Sequence, residues 1–303
     1  MPLPSGRTAR YLVTGARGFV GSALCAQLPE HGRIALSGTA WRDSIAAADY
    51  RDATVFHLAA RVHDAGASEA EFEMDNAIKT RALAQAAASG GASRFVFAST
   101  VKVLGEESRA GALRADDAAR PAGAYALSKW HAEQALREVA GNTGLPLVIL
   151  RLPLTWGPAA GGNFRALLRL ADSGAWLPFA TIDNRRSLVH VDDLARALLV
   201  AATHDAAPGK VFLAGHPHPV STPGLVGAMR AALGRPRRLF GVPGALLEVA
   251  ASLAGQGARM RRLTRSLEVD PGLLISGLKW APRVDLESGL AGVVSAWREE
   301  FAK

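Results

Sequence analysis

The sequence predicts an α/β fold: a doubly wound parallel sheet with a smaller C-terminal domain intertwined with it. Three observations predict it. Short apolar runs alternate with amphipathic helical stretches from residue 10 to 151, the βα rhythm of a parallel sheet. The first apolar run leads through a glycine-rich loop into a helix. After Pro153 the rhythm gives way to short helices between Pro/Gly turns. A chain of 303 residues has room for one large or two intertwined domains.

Arg10–Thr14 reads as a buried strand ending at Gly15. Gly15, Gly18 and Gly21 follow, with a helix over Ser22–Leu28. Strand, glycine loop and helix in this order suit a dinucleotide: the glycines let the backbone turn tightly and approach a pyrophosphate. Arg33–Gly38 is a weak second strand. The acid expected about 20 residues beyond the glycines to hold a ribose is missing from its end, Ser37-Gly38-Thr39. Asp43 can hold a ribose, and Arg42 can meet a 2′-phosphate or stack on adenine, so NAD and NADP both remain open. Ala53–Ala60 is an apolar strand whose small terminal residues leave room for a cofactor, and His57 reads as a packed strand residue.

Glu69–Ser89 is a long amphipathic helix in which Asn76 can bond to neighbouring backbone. Ser93–Ala98 is the next buried strand, with Ser99 and Thr100 at its C-terminal end, where ligands bind in such sheets. Val101–Arg120 reads as a loop. Pro121 opens a helix running to about Asn142, and Leu147–Arg151 is a further strand. Beyond it, Leu188–Val191 reads as a strand pairing back near the first domain, and Asp192-Asp193 as the cap of a helix to Thr203. Helices follow over Thr222–Leu233, Gly244–Leu253 and about Leu286–Phe301.

The formal net charge of +8 suits a multiply anionic small substrate. Basic residues are not interleaved with aromatics, so no nucleic-acid partner is expected. The most basic patch, Arg259, Arg261, Arg262 and Arg265, reads either as a solvated helix face or as a phosphate clamp. The single cysteine, Cys25, excludes an internal disulfide and a CxxC metal site, and no metal ligand set is expected. Met1–Arg10 lacks the apolar core of a signal peptide, and no run is long enough to span a membrane. These features fit a cytoplasmic enzyme.

The pattern that organises the rest is Tyr125-Ala126-Leu127-Ser128-Lys129. A tyrosine and a lysine four residues apart share one helix face. An ammonium there favours the phenolate and is expected to lower the phenol's pKa, making a usable acid/base.

Together these motifs resemble the extended short-chain dehydrogenase/reductase family, the NAD-dependent epimerases, dehydratases and reductases. The resemblance covers nearly the whole chain. It rests on Gly15/Gly18/Gly21, His57-Leu58-Ala59-Ala60, Ser99-Thr100 with Val103-Leu104-Gly105, and Tyr125/Lys129. It extends to Arg186–Asp192 and to Gly277-Leu278-Lys279-Trp280-Ala281-Pro282. Within the family, Ser99–Val103, Gly162-Asn163-Phe164 and Asn184–Leu188 are similar to the branch of UDP-2-acetamido-2,6-dideoxy-hexulose 4-reductases, often labelled UDP-glucose 4-epimerases.

The resemblance implies a Rossmann-type dinucleotide-binding domain over 1–152 plus about 186–204. It implies a nucleotide-sugar-binding domain over 153–185 plus 205–303. It implies Thr100, Tyr125 and Lys129 as catalytic residues. Gly15, Gly18, Phe19, Val20, Gly21, Arg42, Leu58, Ala59, Ala60, Asn76, Ala98, Tyr125, Lys129 and Pro153 would hold NAD or NADP. Ser99, Thr100, Lys102, Asn163, Pro178, Phe179, Arg186 and Arg262 would hold a UDP-linked sugar. Leu104 departs from the family's usual aromatic. Val101 and Lys102 stand where a dehydratase has an acid pair, which argues against dehydration. The implied activity is 4-keto-sugar reduction in surface-polysaccharide synthesis, with UDP-hexose 4-epimerisation as the alternative. A non-catalytic dinucleotide sensor is disfavoured because Tyr125 and Lys129 are both present. Helices 69–89 and 122–142 are expected to form a homodimer interface.

Overall fold

A computed structural model describes residues 10–62 and 66–301. Most of the N-terminal stretch read above, Met1–Arg10, therefore lies outside the described residues. Two compact units emerge: 1–103 with 122–151 and 195–211, and 104–121 with 152–194 and 212–303.

The first unit is built on a six-stranded sheet in the order β2-β1-β3-β4-β5-β8. Its strands are β1 (Arg10–Thr14), β2 (Gly32–Ile34), β3 (Ala53–His57), β4 (Arg94–Thr100), β5 (Leu147–Leu152) and β8 (Val211–Leu213). β1 runs parallel to both β2 and β3, and β3 to β4. The order reverses at β1 and β3, the switch point beside which doubly wound sheets bind ligands. β3 is buried along its whole length, as a strand covered on both faces must be. Val55, Phe95, Phe97 and Ile149 from the strands pack with Leu83, Ala84 and Ala87 of α4 (Lys79–Ser89) and Ala132, Leu136 and Val139 of α5 (Gly123–Thr143).

Several local expectations change. The first helix, α1 (Phe19–Cys25), starts directly after Gly18. β2 stops at Ile34, and the chain bends away to Gly38, whose φ of +73° an L side chain rarely adopts. A short α2 (Trp41–Ala46) follows. The long helix is three pieces: α3 (Glu69–Glu73), a π turn (Met74–Ile78) and α4. Ser68 and Glu71 close a capping box at its start. Thr80 Oγ1 donates to Asn76 O at 2.6 Å, giving a carbonyl of the widened turn a side-chain partner.

In the second unit, β6 (Leu154–Trp156) and β7 (Leu188–His190) form their own parallel two-stranded sheet. The strand expected over 188–191 pairs with β6 of the same unit. The helix after β7, α7, spans Val191–Thr203. Asp192 and Asp193 stand in its first turn. The Asp193 carboxylate accepts the amides of Arg283 (2.8 Å) and Val284 (3.1 Å), and its carbonyl accepts Trp280 Nε1 (3.2 Å). The remaining helices are α6 (Gly162–Asp172), α8 (Thr222–Leu233), α9 (Gly244–Leu253), α10 (Gly257–Thr264), α11 (Gly272–Leu278) and α12 (Leu286–Phe301). Fully buried Arg230 on α8 donates to the carbonyls of Ala171, Ala175, Arg237 and Arg238, so its charge stands among four acceptors. Among the described residues no helix is long and apolar enough to cross a membrane.

Candidate active site

The glycine loop is shaped by contacts that admit no side chain. Gly15 has φ +68°, and a Cβ there would lie 2.7 Å from Ala59 N. A Cβ on Gly21 would lie 2.0 Å from Gly15 O, while Gly18 N donates to that oxygen at 2.9 Å. The loop therefore folds tightly against the end of β3 and opens a cleft of about 720 Å³ along the strand ends. Gly15, Ala59 and Ala60 line this cleft, together with the end of β2. This cradle of bare backbone fits a nicotinamide dinucleotide. Phe19 and Val20 begin α1, half-buried, and Leu58 places its amide 3.1 Å from Thr14 Oγ1.

Arg42 is not among the lining residues. Its guanidinium stacks 4.3 Å from the Trp41 ring centroid. Arg17, Arg33, Ser37, Arg61, Asp75 and Lys79 line the cleft instead. Arg17 and Ser37 were visible in sequence at the right loop and strand end. Asp75 and Lys79 were not, because only the tertiary fold brings the α3–α4 turn to β2.

His57 is fully buried at the end of β3. Thr14 Oγ1 accepts the amides of Leu58 (3.1 Å) and Ala59 (3.2 Å), so its own proton goes to His57 Nδ1 at 2.7 Å. His57 Nε2 then carries the ring proton and donates to Thr80 Oγ1 at 2.6 Å. Burial, with Lys129 adding repulsion, pushes the imidazole pKa down to about 3. This neutral, saturated ring ties the cleft to the π turn. There Asn76 exchanges bonds with the Arg61 backbone (2.8 and 3.0 Å) and donates to Ser128 Oγ at 3.0 Å. Ser128 Oγ donates to Tyr125 O at 2.9 Å, so the chain of bonds ends on the helix that carries Tyr125.

Tyr125, Lys129 and Glu133 recur every four residues on α5 and meet the end of β4 together. The Tyr125 phenol shares a hydrogen bond with the Thr100 hydroxyl, and its ring sits edge-on to Phe72. Lys129 Nζ donates to Ala98 O at 2.6 Å and lies 3.9 Å from the Phe97 ring centroid. Lys102 is half-buried on the 3₁₀ turn after β4. Ser99 does not accompany Thr100. It is buried, and its Oγ donates to Glu133 Oε1 at 2.6 Å. Glu133 is fully buried and also accepts Arg151 Nε (3.0 Å) and Nη2 (2.8 Å). Ser99 is thus corrected from a substrate contact to part of a buried ion-pair network. The YxxxKxxxE spacing was the available signal for Glu133.

The lowered phenol pKa expected from the lysine is also corrected. Burial pushes the Tyr125 phenol up to about 12, against a smaller opposing effect of the Thr100 hydrogen bond. Burial pushes Lys129 down to about 7, partly offset by Glu133. An unfolded lysine binds its proton below about 10.5, whereas folded Lys129 binds it only below about 7. The unfolded state therefore holds more protons between these values, and stability rises with pH across that window. Below pH 7 the penalty is fully present. The urea midpoint is expected to rise from pH 7 to 9.5, and Lys129→Met should flatten that rise. An equal slope in both proteins would contradict this account.

The second unit carries the other expected substrate residues. Arg186 is half-buried, with Nη1 donating to Arg265 O at 2.9 Å. Burial lowers its pKa, Glu106 raises it, and Arg262 lowers it, which puts Arg262 within electrostatic reach. Arg265 is instead committed to Glu248 and Glu107 at 2.8 Å each. Asn163 is exposed at the start of α6, and Pro178 is half-buried. Phe179 is only 3% exposed, so its ring belongs to the core and does not offer a face for stacking. Pro153 is buried between β5 and β6, and Ala98 is engaged through its carbonyl.

A profile described as "NAD dependent epimerase/dehydratase family" matches residues 11–215. The chain is 34% identical over 249 residues to the UDP-glucose 4-epimerase of Vibrio cholerae, covering 80% of this chain and 76% of that one. It is 29% identical over 202 residues to the UDP-2-acetamido-2,6-beta-L-arabino-hexul-4-ose reductase of Pseudomonas aeruginosa, covering 63% and 48%. Its fold matches RMD from Pseudomonas aeruginosa complexed with NADPH at a TM-score of 0.76 and 21% identity, covering 96% of this chain and all of that one. A match of this extent makes the chain a member of the NAD-dependent epimerase/dehydratase family, an extended short-chain dehydrogenase/reductase enzyme that uses NAD or NADP.

Proposed function

We propose that the enzyme reduces the C4 ketone of a UDP-linked sugar. The observation that carries this reading is the hydrogen bond between the Tyr125 phenol and Thr100 at the end of β4, one helical turn from Lys129. A bound reduced nicotinamide supplies the hydride. As negative charge grows on the sugar O4, Thr100 donates a hydrogen bond to it and Tyr125 delivers a proton. A phenol whose pKa lies at about 12 is held in its acid form, as a proton donor must be. Lys129, anchored on Ala98 O, presents its Nζ beside the same strand end. Arg186 and Arg262, with Asn163, would hold the diphosphate, since two phosphates call for several charged donors.

The similarity to a UDP-glucose 4-epimerase favours a second reading, in which the same residues first take the O4 proton and then return it. That route needs Tyr125 to act first as a base and then as an acid. The reading also has the enzyme act in the cytoplasm in surface-polysaccharide synthesis, as a homodimer. Exposed Met74, Ile78 and Leu127 on the π turn and α5 would supply apolar contacts for that dimer.

The test is to incubate purified protein with a UDP-4-keto-6-deoxy sugar and NAD(P)H, and separately with UDP-glucose and no added cofactor. Reduction of the keto sugar without C4 epimerisation of UDP-glucose is expected. Formation of the C4 epimer without added cofactor would establish the epimerase reading instead.

A further inference from the structure

We propose that the cleft at the end of β2 selects a dinucleotide bearing a 2′-phosphate on its adenosine ribose, so that the enzyme prefers NADPH to NADH. Arg17, Arg33 and Ser37 are the selecting residues. The proposal rests on the dinucleotide-dependent reading above and narrows it.

The register sets the geometry. Val13 stands opposite Arg33 and Thr14 opposite Ile34, so β1 and β2 end level. The glycine loop leaving β1 and the 35–38 bend leaving β2 then wall the same cleft. In doubly wound folds a carboxylate at this strand end receives the ribose hydroxyls of NAD. The residues available here are Ala35, Leu36, Ser37 and Gly38, none of them acidic. Asp43 lies a further five residues on, in α2, and is not among the cleft residues.

Among the described residues, the one carboxylate that lines the cleft is already committed. Asp75 Oδ1 accepts Lys79 Nζ at 2.6 Å, and Oδ2 accepts Arg61 Nε at 2.8 Å. Lys79 is 7% exposed, and its Nζ also donates to Leu36 O at 2.8 Å. Lys79 is therefore a positioning residue: it holds the bend that presents Ser37 and pairs with Asp75. Among the described residues, the lining carries Arg17, Arg33, Arg61 and Lys79 against Asp75. Two diol hydroxyls gain little from such a wall. A dianionic phosphate gains charge-assisted, bidentate bonds from Arg17 and Arg33 and a hydroxyl donor from Ser37. Both arginines are exposed, so they can meet the phosphate without a buried charge being left behind in the unliganded protein.

Binding, not turnover, tests this. Titration calorimetry of the wild-type protein with NADPH and NADH should give a dissociation constant about 10–100-fold lower for NADPH, the range that one charge-assisted contact supplies. The fragment 2′,5′-ADP should likewise bind more tightly than 5′-ADP. Arg17→Ala combined with Arg33→Ala should remove most of the NADPH advantage, and Lys79→Met should narrow it by displacing the bend. Equal affinities, or tighter NADH, in the wild-type protein would overturn the proposal while leaving the dinucleotide reading intact. Binding of neither dinucleotide would overturn both. The wild-type comparison decides the matter even where a variant does not fold.

Discussion

Replacing Tyr125 with phenylalanine is expected to lower kcat for keto-sugar reduction by about 10²–10⁴-fold while leaving the dissociation constants of cofactor and UDP-sugar close to wild type. The reason is local. The ring keeps its edge contact with Phe72 and its place on α5, and only the hydroxyl that meets Thr100 is lost. Ground-state binding does not depend on that proton, whereas neutralising O4 in the transition state does. A loss confined to KM would place Tyr125 among the binding contacts instead. Steady-state kinetics with calorimetric dissociation constants on the same preparation separates the two outcomes.

Glu133→Ala is expected to destabilise the protein by about 3–5 kcal/mol. Glu133 has no exposed surface, and its carboxylate takes two hydrogen bonds from Arg151, itself 2% exposed, and one from Ser99. Removing the carboxylate takes from the buried Arg151 guanidinium the two hydrogen bonds and the negative charge that Glu133 gives it, and takes from the Ser99 hydroxyl its bond to Glu133. In thermal unfolding the midpoint should fall by roughly 10 °C. Adding Arg151→Leu to that variant should recover much of the loss, because the buried guanidinium that lost Glu133 goes with it. If the double variant is no more stable than Glu133→Ala, the cost lies in lost packing and not in the loss of Glu133 beside the Arg151 charge.

Much of this architecture is legible in the sequence where local and global signals agree. β1, its glycine loop and the following helix can be read from one apolar run and three glycines. The closing helix, Leu286–Phe301, follows directly from its periodicity. The Tyr125–Lys129 face is a matter of helical spacing alone. What was not legible depends on partners distant in sequence. Ser99 and Thr100 are adjacent hydroxyls with equal claims from sequence, and only Glu133, two turns beyond Tyr125, separates their tasks. The π turn at Met74–Ile78 leaves no compositional mark, yet it presents Asn76 to Ser128. Arg42 stands near the expected ribose position but stacks on its neighbour Trp41, while Lys79, forty-three residues beyond Leu36, holds the bend at the end of β2. The effect of Lys129 on Tyr125 was misjudged because spacing reveals proximity and not burial, and burial dominates both pKa values.

The central claim is that this site carries hydride to C4 of a UDP-linked keto sugar while Tyr125 protonates O4. The most direct measurement supplies the enzyme with a UDP-4-keto-6-deoxy sugar and NADPH carrying deuterium at the transferable nicotinamide position, then locates the label by NMR. The account predicts one deuterium at C4 of the product sugar and none elsewhere, with the transfer strongly slowed in Tyr125→Phe. Product labelled at another carbon, or unlabelled product, would contradict it.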